Sequence, residues 1–65
     1  MKLSQTEQNA ALQIAQDVTD DGLVIQTQRG TPNKESLRVE VSFEASERGY
    51  DAATAEAMGK YAAKR

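Results

Sequence analysis

Hydrophobic and polar residues follow three different patterns along the chain, and the first pattern is helical. In residues 4–19 the apolar side chains recur at a spacing of three to four residues. One face then contains Ala11, Ile14, Ala15 and Val18. Ser4 and Glu7 have the spacing of a capping box, in which each side chain accepts from the backbone N–H of the other residue. We therefore predict a helix over about 4–19, ended by a turn at Gly22.

The second pattern is an alternation of apolar and polar residues over 37–44. The apolar members are Leu37, Val39, Val41 and Phe43. An alternation with period 2 is typical of a strand with one buried face. Residues 23–29 are also rich in apolar residues, and the segment between the two contains Gly30 and Pro32, which favour a turn. These observations predict an antiparallel β-hairpin with strands over about 23–29 and 37–44.

The third pattern is a helix over about 51–64. This segment contains six alanines, which have the highest helix propensity, and Asp51 is a good N-cap. The predicted order is helix, strand, strand, helix. We expect an α+β fold with one small domain over 1–65, a two-layer α-β-β-α unit whose antiparallel hairpin is covered on one face by both helices.

Composition leaves little material for a core. Leucine, isoleucine, valine and phenylalanine together number 11 of the 65 residues, a fraction that approaches the range of disordered chains. The net charge of −2 is too small for that class, however. Seven of the 11 residues fall in the predicted hairpin. This concentration favours a folded chain over a disordered one.

Several function classes lose support from composition. The chain has no histidine and no cysteine, so the commonest general base and the thiol nucleophile are missing, and we predict that it is not an enzyme. The Asp17–Gly22 segment resembles the start of a calcium loop, but the twelfth position is Gln28 instead of glutamate. We predict no cofactor and no metal. The polar N-terminus and the lack of a long apolar run favour a cytoplasmic protein without membrane contact.

The predicted last helix has one face made of small residues. Its members are Ala52, Ala55, Gly59, Ala62 and Ala63. Because Gly59 costs about 1 kcal/mol relative to alanine in a helix interior, a close backbone contact is a reason for it to be there. We therefore predict partner contact through Ala55 and Gly59, with a homodimer through this helix as one form. One alternative is an alanine-rich face that contacts only solvent. Another is the reverse packing, in which the small residues face inward and Tyr50 and Tyr61 face out as a contact surface.

Acidic residues form a second candidate surface. Glu40, Glu44, Glu47 and Asp51 lie within 12 residues of each other in the chain. If the helices flank the hairpin, these carboxylates form an acidic rim that fits a basic groove on a protein partner. The alternative is an ordinary solvated surface with capping residues.

Basic residues would meet at the tip of the predicted hairpin. These residues are Arg29, Lys34 and Arg38. A basic β-ribbon can enter a nucleic-acid groove. No aromatic residue accompanies them for base stacking, and the sequence pI of about 4.9 disfavours binding to phosphate backbones. Nucleic-acid contact is therefore the less favoured alternative.

The predicted order of helix, hairpin and helix is similar to that of the small head-to-tail joining proteins of tailed bacteriophages. It also resembles short phage proteins that bind and inhibit a host machine. The resemblance implies a non-enzymatic protein-binding module, such as an inhibitor or accessory factor of phage or mobile-element origin that occupies a surface of a larger protein. A nucleic-acid-binding protein and a phage assembly subunit are the alternatives.

Overall fold

The computed structural model describes residues 2–64, and within them it contains three α-helices and no β-strand. Helix α1 spans Gln5–Asp20, α2 spans Lys34–Glu47 and α3 spans Ala52–Lys64. The predicted α+β fold is therefore wrong, and so is its α-β-β-α order. Where the hairpin was expected, the structure has an isolated antiparallel bridge between Gln26 and Pro32. The resemblance to phage proteins was based on the hairpin and loses its basis with it.

The predicted second strand lies inside α2. Asn33 is the N-cap of this helix, and its Oδ1 accepts from the Ser36 N–H at 3.0 Å. The alternation over 37–44 also contains residues four apart, such as Leu37 and Val41, which share one face of a helix. The intervening Arg, Glu and Ser residues tolerate a helix well. With a cap and a usable inner face, this segment folds as a helix.

The predicted first strand is part of the α1–α2 connection over residues 21–33. Its backbone bonds are local: the Thr27 N–H donates to the Thr31 carbonyl at 2.7 Å, and the Asn33 N–H donates to the Ile25 carbonyl at 2.7 Å. Val24 is buried and fixes the connection to the core. Because its expected partner strand is helical, this segment has no neighbour with which to form a sheet.

Helices α1 and α3 begin and end close to the residues that the sequence indicates. The capping box of α1 is confirmed: the Glu7 N–H donates to Ser4 Oγ at 3.1 Å, and the Ser4 N–H donates to Glu7 Oε1 at 2.8 Å. Gly22 follows the helix with a φ of 75°, which glycine adopts readily. Before α3, Asp51 Oδ1 accepts from the Thr54 N–H at 2.8 Å.

The core lies where the three helices meet, and α2 and α3 approach each other most closely. Its buried apolar residues are Leu3, Ala11, Ile14, Val18, Val24, Val41, Ala45, Ala55, Met58 and Ala62. At Gly59 a Cβ atom would lie 2.5 Å from the Arg38 carbonyl oxygen and closer still to Ser42 Oγ. Gly59 is therefore the residue that lets the α3 backbone reach α2.

None of the helices within residues 2–64 combines the length and the apolar character that a membrane span requires.

Candidate docking surface

Helix α2 carries an apolar face that the rest of the chain does not cover. Val39 and Phe43 lie one helical turn apart and are 47% and 63% exposed. Ile25, from the α1–α2 connection, is 69% exposed and lines a shallow depression of about 340 Å³ together with Val39. We call Ile25, Val39 and Phe43 the outer apolar face.

The alternating sequence explains this exposure. In a helix, residues two apart point about 200° away from each other, so alternate apolar residues fall on opposite sides. Val41 therefore faces the core and is 0% exposed, whereas Val39 and Phe43 face outward. Sequence reasoning missed this surface because a strand would place all four apolar residues of the alternation on one buried side.

Acidic side chains lie along both edges of the outer apolar face. Glu40 and Glu47, two turns apart, occupy the same edge, and within residues 2–64 neither has an ion-pair partner. Glu35 occupies the other edge and pairs with Arg38 through two contacts, one of them from Nε at 3.3 Å. The Arg38 hydrogen bond lowers the pKa of Glu35 below its ordinary value. At the edges of the outer apolar face, Glu40 and Glu47 are therefore the carboxylates without an ion pair in residues 2–64.

The other two predicted acidic residues have structural partners. Arg48 Nε donates to Glu44 Oε2 at 3.2 Å, and Arg48 Nη2 donates to Asp17 Oδ2 at 2.9 Å, which links the ends of α2 and α1. The hydrogen bond from Arg48 lowers the pKa of Asp17. The pKa of Asp51 is also lowered, because its carboxylate accepts from Thr54 at the start of α3. Glu44 and Asp51 are thus engaged in bonds within the fold, whereas Glu40 and Glu47 have no ion-pair partner in residues 2–64.

The middle of the small-residue face of α3 lies inside the molecule, whereas Ala52 at its start is exposed and Ala63 is half-buried. Ala55 and Gly59 are both buried, and Gly59 faces Arg38 and Ser42 of α2. The close helix contact expected at these residues is made by α2 of the same chain. Ser42 Oγ is buried there and has no hydrogen-bond partner in the part of the chain that is described.

The three predicted nucleic-acid contacts have no hairpin tip to occupy. Arg29 is exposed in the α1–α2 connection, Lys34 begins α2, and Arg38 lies in the second turn of α2. The Arg38 guanidinium is engaged by Glu35, and this pairing raises the pKa of Arg38. Two of the three cations are therefore left free of the ion pairs found within residues 2–64.

A groove of about 520 Å³ lies between the start of the chain and α3, and sequence reasoning missed it. The half-buried Ala57 and Tyr61 supply its apolar surface beside the buried Leu3, and Lys2, Lys60 and Lys64 supply positive charge. Glu56 also lines it and forms an ion pair with Lys60 at 3.3 Å. We call this the basic groove. The spacing of Lys60 and Lys64 was the available signal, but the contribution of Lys2 depends on the fold.

Two observations bear on the chemistry that these surfaces can support. Among residues 2–64 there is no group of three or more side chains arranged to hold a metal ion. Comparison of the chain with protein-family models, with curated proteins and with solved structures finds no match.

Proposed function

We propose that this protein is a small non-enzymatic binding module that docks the outer apolar face of α2 into an apolar groove on a protein partner. The observation that supports this proposal is the exposure of three large apolar side chains, two of them on adjacent turns of one helix. Exposed apolar residues that are scattered singly are ordinary, but an adjacent set edged by charges is typical of interaction sites. Phenylalanine is enriched at interfaces.

The charges at the edge of this face define the partner further. Glu40 and Glu47 lack ion-pair partners within residues 2–64, so they are available to basic side chains on the rim of the partner groove. Complementary charge raises the association rate and excludes acidic surfaces. The partner that fits has an apolar groove with lysine or arginine at its edge.

The size of the face indicates weak to moderate affinity. Full burial of one large apolar side chain contributes about 1.5–3 kcal/mol. The three side chains are already partly buried in the folded chain, so binding can gain only the part that belongs to their exposed surface. Their remaining contribution is about 3–5 kcal/mol in total, which is similar to the lower estimates of the association entropy cost. Useful affinity therefore requires both the apolar contacts and the charge pairs.

Affinity capture from an extract of the source cells tests the proposal. Tagged wild type is compared with Phe43→Asp, which places a charge in the centre of the face, and with Asn9→Asp. Asn9 is exposed on α1, its Oδ1 accepts from Gln5, and the aspartate adds the same charge while keeping an acceptor. Circular dichroism verifies that all three proteins are folded.

We expect one or more proteins to be retained by wild type and by Asn9→Asp but lost with Phe43→Asp. Identical retention by all three folded proteins would show that the outer apolar face is not a docking surface.

A further inference from the structure

We infer that a second copy of this chain is a partner for the outer apolar face, and that it receives this face in its basic groove. This inference rests on the proposed function, because it uses the same face and names its occupant. The required partner has an apolar groove with a basic rim, and the chain itself presents such a groove.

The groove has the chemistry that the face requires. The half-buried Ala57 and Tyr61 provide apolar contact for Phe43 and Val39, and the groove volume of about 520 Å³ leaves room for large side chains. Its lining includes three lysines and one glutamate, an excess of two positive charges. The face carries two carboxylates, Glu40 and Glu47, without ion-pair partners in residues 2–64. Apolar character and charge are therefore both complementary.

The outer apolar face belongs to α2, which packs against one side of α3, and the basic groove opens on another side of α3. The two surfaces therefore cannot meet within one molecule. Gly59 places α2 against one side of α3. Ala57 and Lys64 line the groove, and at 100° per residue they lie about 140–160° around the helix from Gly59. A contact between face and groove must therefore join two molecules.

The predicted contact joins different surfaces on the two copies. A single contact of this kind leaves one free face and one free groove in the pair, so that further copies can add until a ring closes or a chain extends, whereas two copies that make the contact reciprocally form a closed dimer. A stable interface buries about 800 Å² on each partner, which is close to a fifth of the 4397 Å² surface of this chain. We therefore expect association that is weak, concentration-dependent and sensitive to salt.

Sedimentation of two complementary variants tests this inference. Phe43→Asp disables the face and leaves the groove intact. The double substitution Lys60→Glu with Lys64→Glu disables the groove and leaves the face intact, and the Lys60→Gln, Lys64→Gln form replaces it if the charge reversal unfolds the chain. Asn9→Asp is the control for an added charge at an exposed residue that lines neither surface.

We expect the average mass of wild type and of Asn9→Asp to rise above that of a monomer with concentration at low salt, to a closed dimer or to larger assemblies, and to fall in 0.5 M salt. Each disabling variant alone remains a monomer. An equal mixture of the two forms one-to-one pairs and stops there, because only one intact face and one intact groove can meet. A mixture that stays monomeric, or a wild type that stays monomeric at low salt, would overturn the inference.

The result also separates this inference from the proposed function. If wild type stays monomeric while Phe43→Asp still loses a captured protein, the face binds another partner and the second copy is excluded. If the groove variant associates as wild type does, the basic groove is not the receiving surface. If Phe43→Asp neither alters association nor loses a captured protein, both proposals fail.

Discussion

The two sides of α2 contain the same kinds of residue but meet different surroundings. On the inner side Val41 and Ala45 are fully buried against the other helices, whereas on the outer side Val39 and Phe43 remain about half exposed or more. Val39 and Val41 are identical side chains two residues apart. The comparison shows that the hydrophobic content of a segment does not say how much of it belongs to the core. The helical period places one half in the core and leaves the other half exposed to solvent.

Shortening the inner valine, Val41, should lower the free energy of unfolding more than any other substitution considered below. Val41→Ala removes buried methyl groups and leaves a cavity, so we expect a loss of about 2 kcal/mol in the free energy of unfolding. Val39→Ala makes the same chemical change on the outer side, and we expect a change within about 0.5 kcal/mol. Urea unfolding followed by circular dichroism measures both. Equal losses would mean that the two valines share one buried face, as they would in a strand.

A substitution at Gly59 tests how closely the inner side of α2 packs on α3. Gly59→Ala introduces a Cβ that would meet the Arg38 carbonyl oxygen and Ser42 Oγ, so the helices must separate. Overpacking costs about 1–3 kcal/mol, and the better helix propensity of alanine returns about 1 kcal/mol. We expect a net loss of up to about 2 kcal/mol in thermal or urea unfolding.

Ser42→Ala is the companion variant. Its hydroxyl is buried without a hydrogen-bond partner in the described residues, so its removal should be neutral or stabilising. Combined with Gly59→Ala, it should recover part of the loss but not all of it, because the Arg38 carbonyl remains. A Gly59→Ala protein that is more stable than wild type, as the helix propensity of alanine alone would make it, would contradict the close approach.

A smaller effect concerns the carboxylates that hold the helices in place around the inner side. The pKa of Asp17 is lowered by its hydrogen bond from Arg48, and that of Asp51 is lowered by the Thr54 hydrogen bonds, both from an ordinary value of 3.8. A folded-state pKa below the unfolded one adds stability above the unfolded pKa, and that stability is lost as pH falls through the folded pKa.

The melting temperature should therefore be nearly constant between about pH 7 and pH 5, and should fall below about pH 4. Asp51→Asn should lower the melting temperature at neutral pH and reduce the size of the acid-induced fall. Thermal scans across this range measure both. An unchanged acid profile in Asp51→Asn would remove Asp51 from the explanation.

The sequence was sufficient to predict α1 because only one structure fits its pattern. Its apolar residues recur at helical spacing, and Ser4 and Glu7 fix the start through a capping box. Asp51 likewise indicates the start of α3 from a local rule, since its side chain bonds the Thr54 N–H. These features depend on neighbours in the chain, so they can be recognised without knowledge of the fold.

The sequence was not sufficient for α2 because its alternation fits two structures. As a strand it would bury four apolar residues, whereas as a helix it buries Val41, half-buries Leu37 and exposes the other two. The Asn33 cap and the Arg48 pairs with Glu44 and Asp17 favour the helix. The bond to Asp17 spans 31 residues and depends on tertiary structure.

The candidate surfaces were missed for the same reason. Glu40 and Glu47 were predicted as contacts, but Val39 and Phe43 were assigned to the core of a hairpin. The basic groove joins Lys2 to residues near the other end of the chain, a juxtaposition that only the packing of α3 creates.

The solvent exposure of the four alternating apolar side chains distinguishes a helix with two apolar faces from a strand with one. Paramagnetic relaxation by a soluble, uncharged gadolinium complex, measured by NMR in a dilute sample, reports how near each side chain lies to solvent. We predict strong relaxation at Val39 and Phe43 and little at Val41, with Leu37 between them, as expected from its partial burial. Similar protection of Val39, Val41 and Phe43 would contradict the helix with two apolar faces, and with it the docking surface.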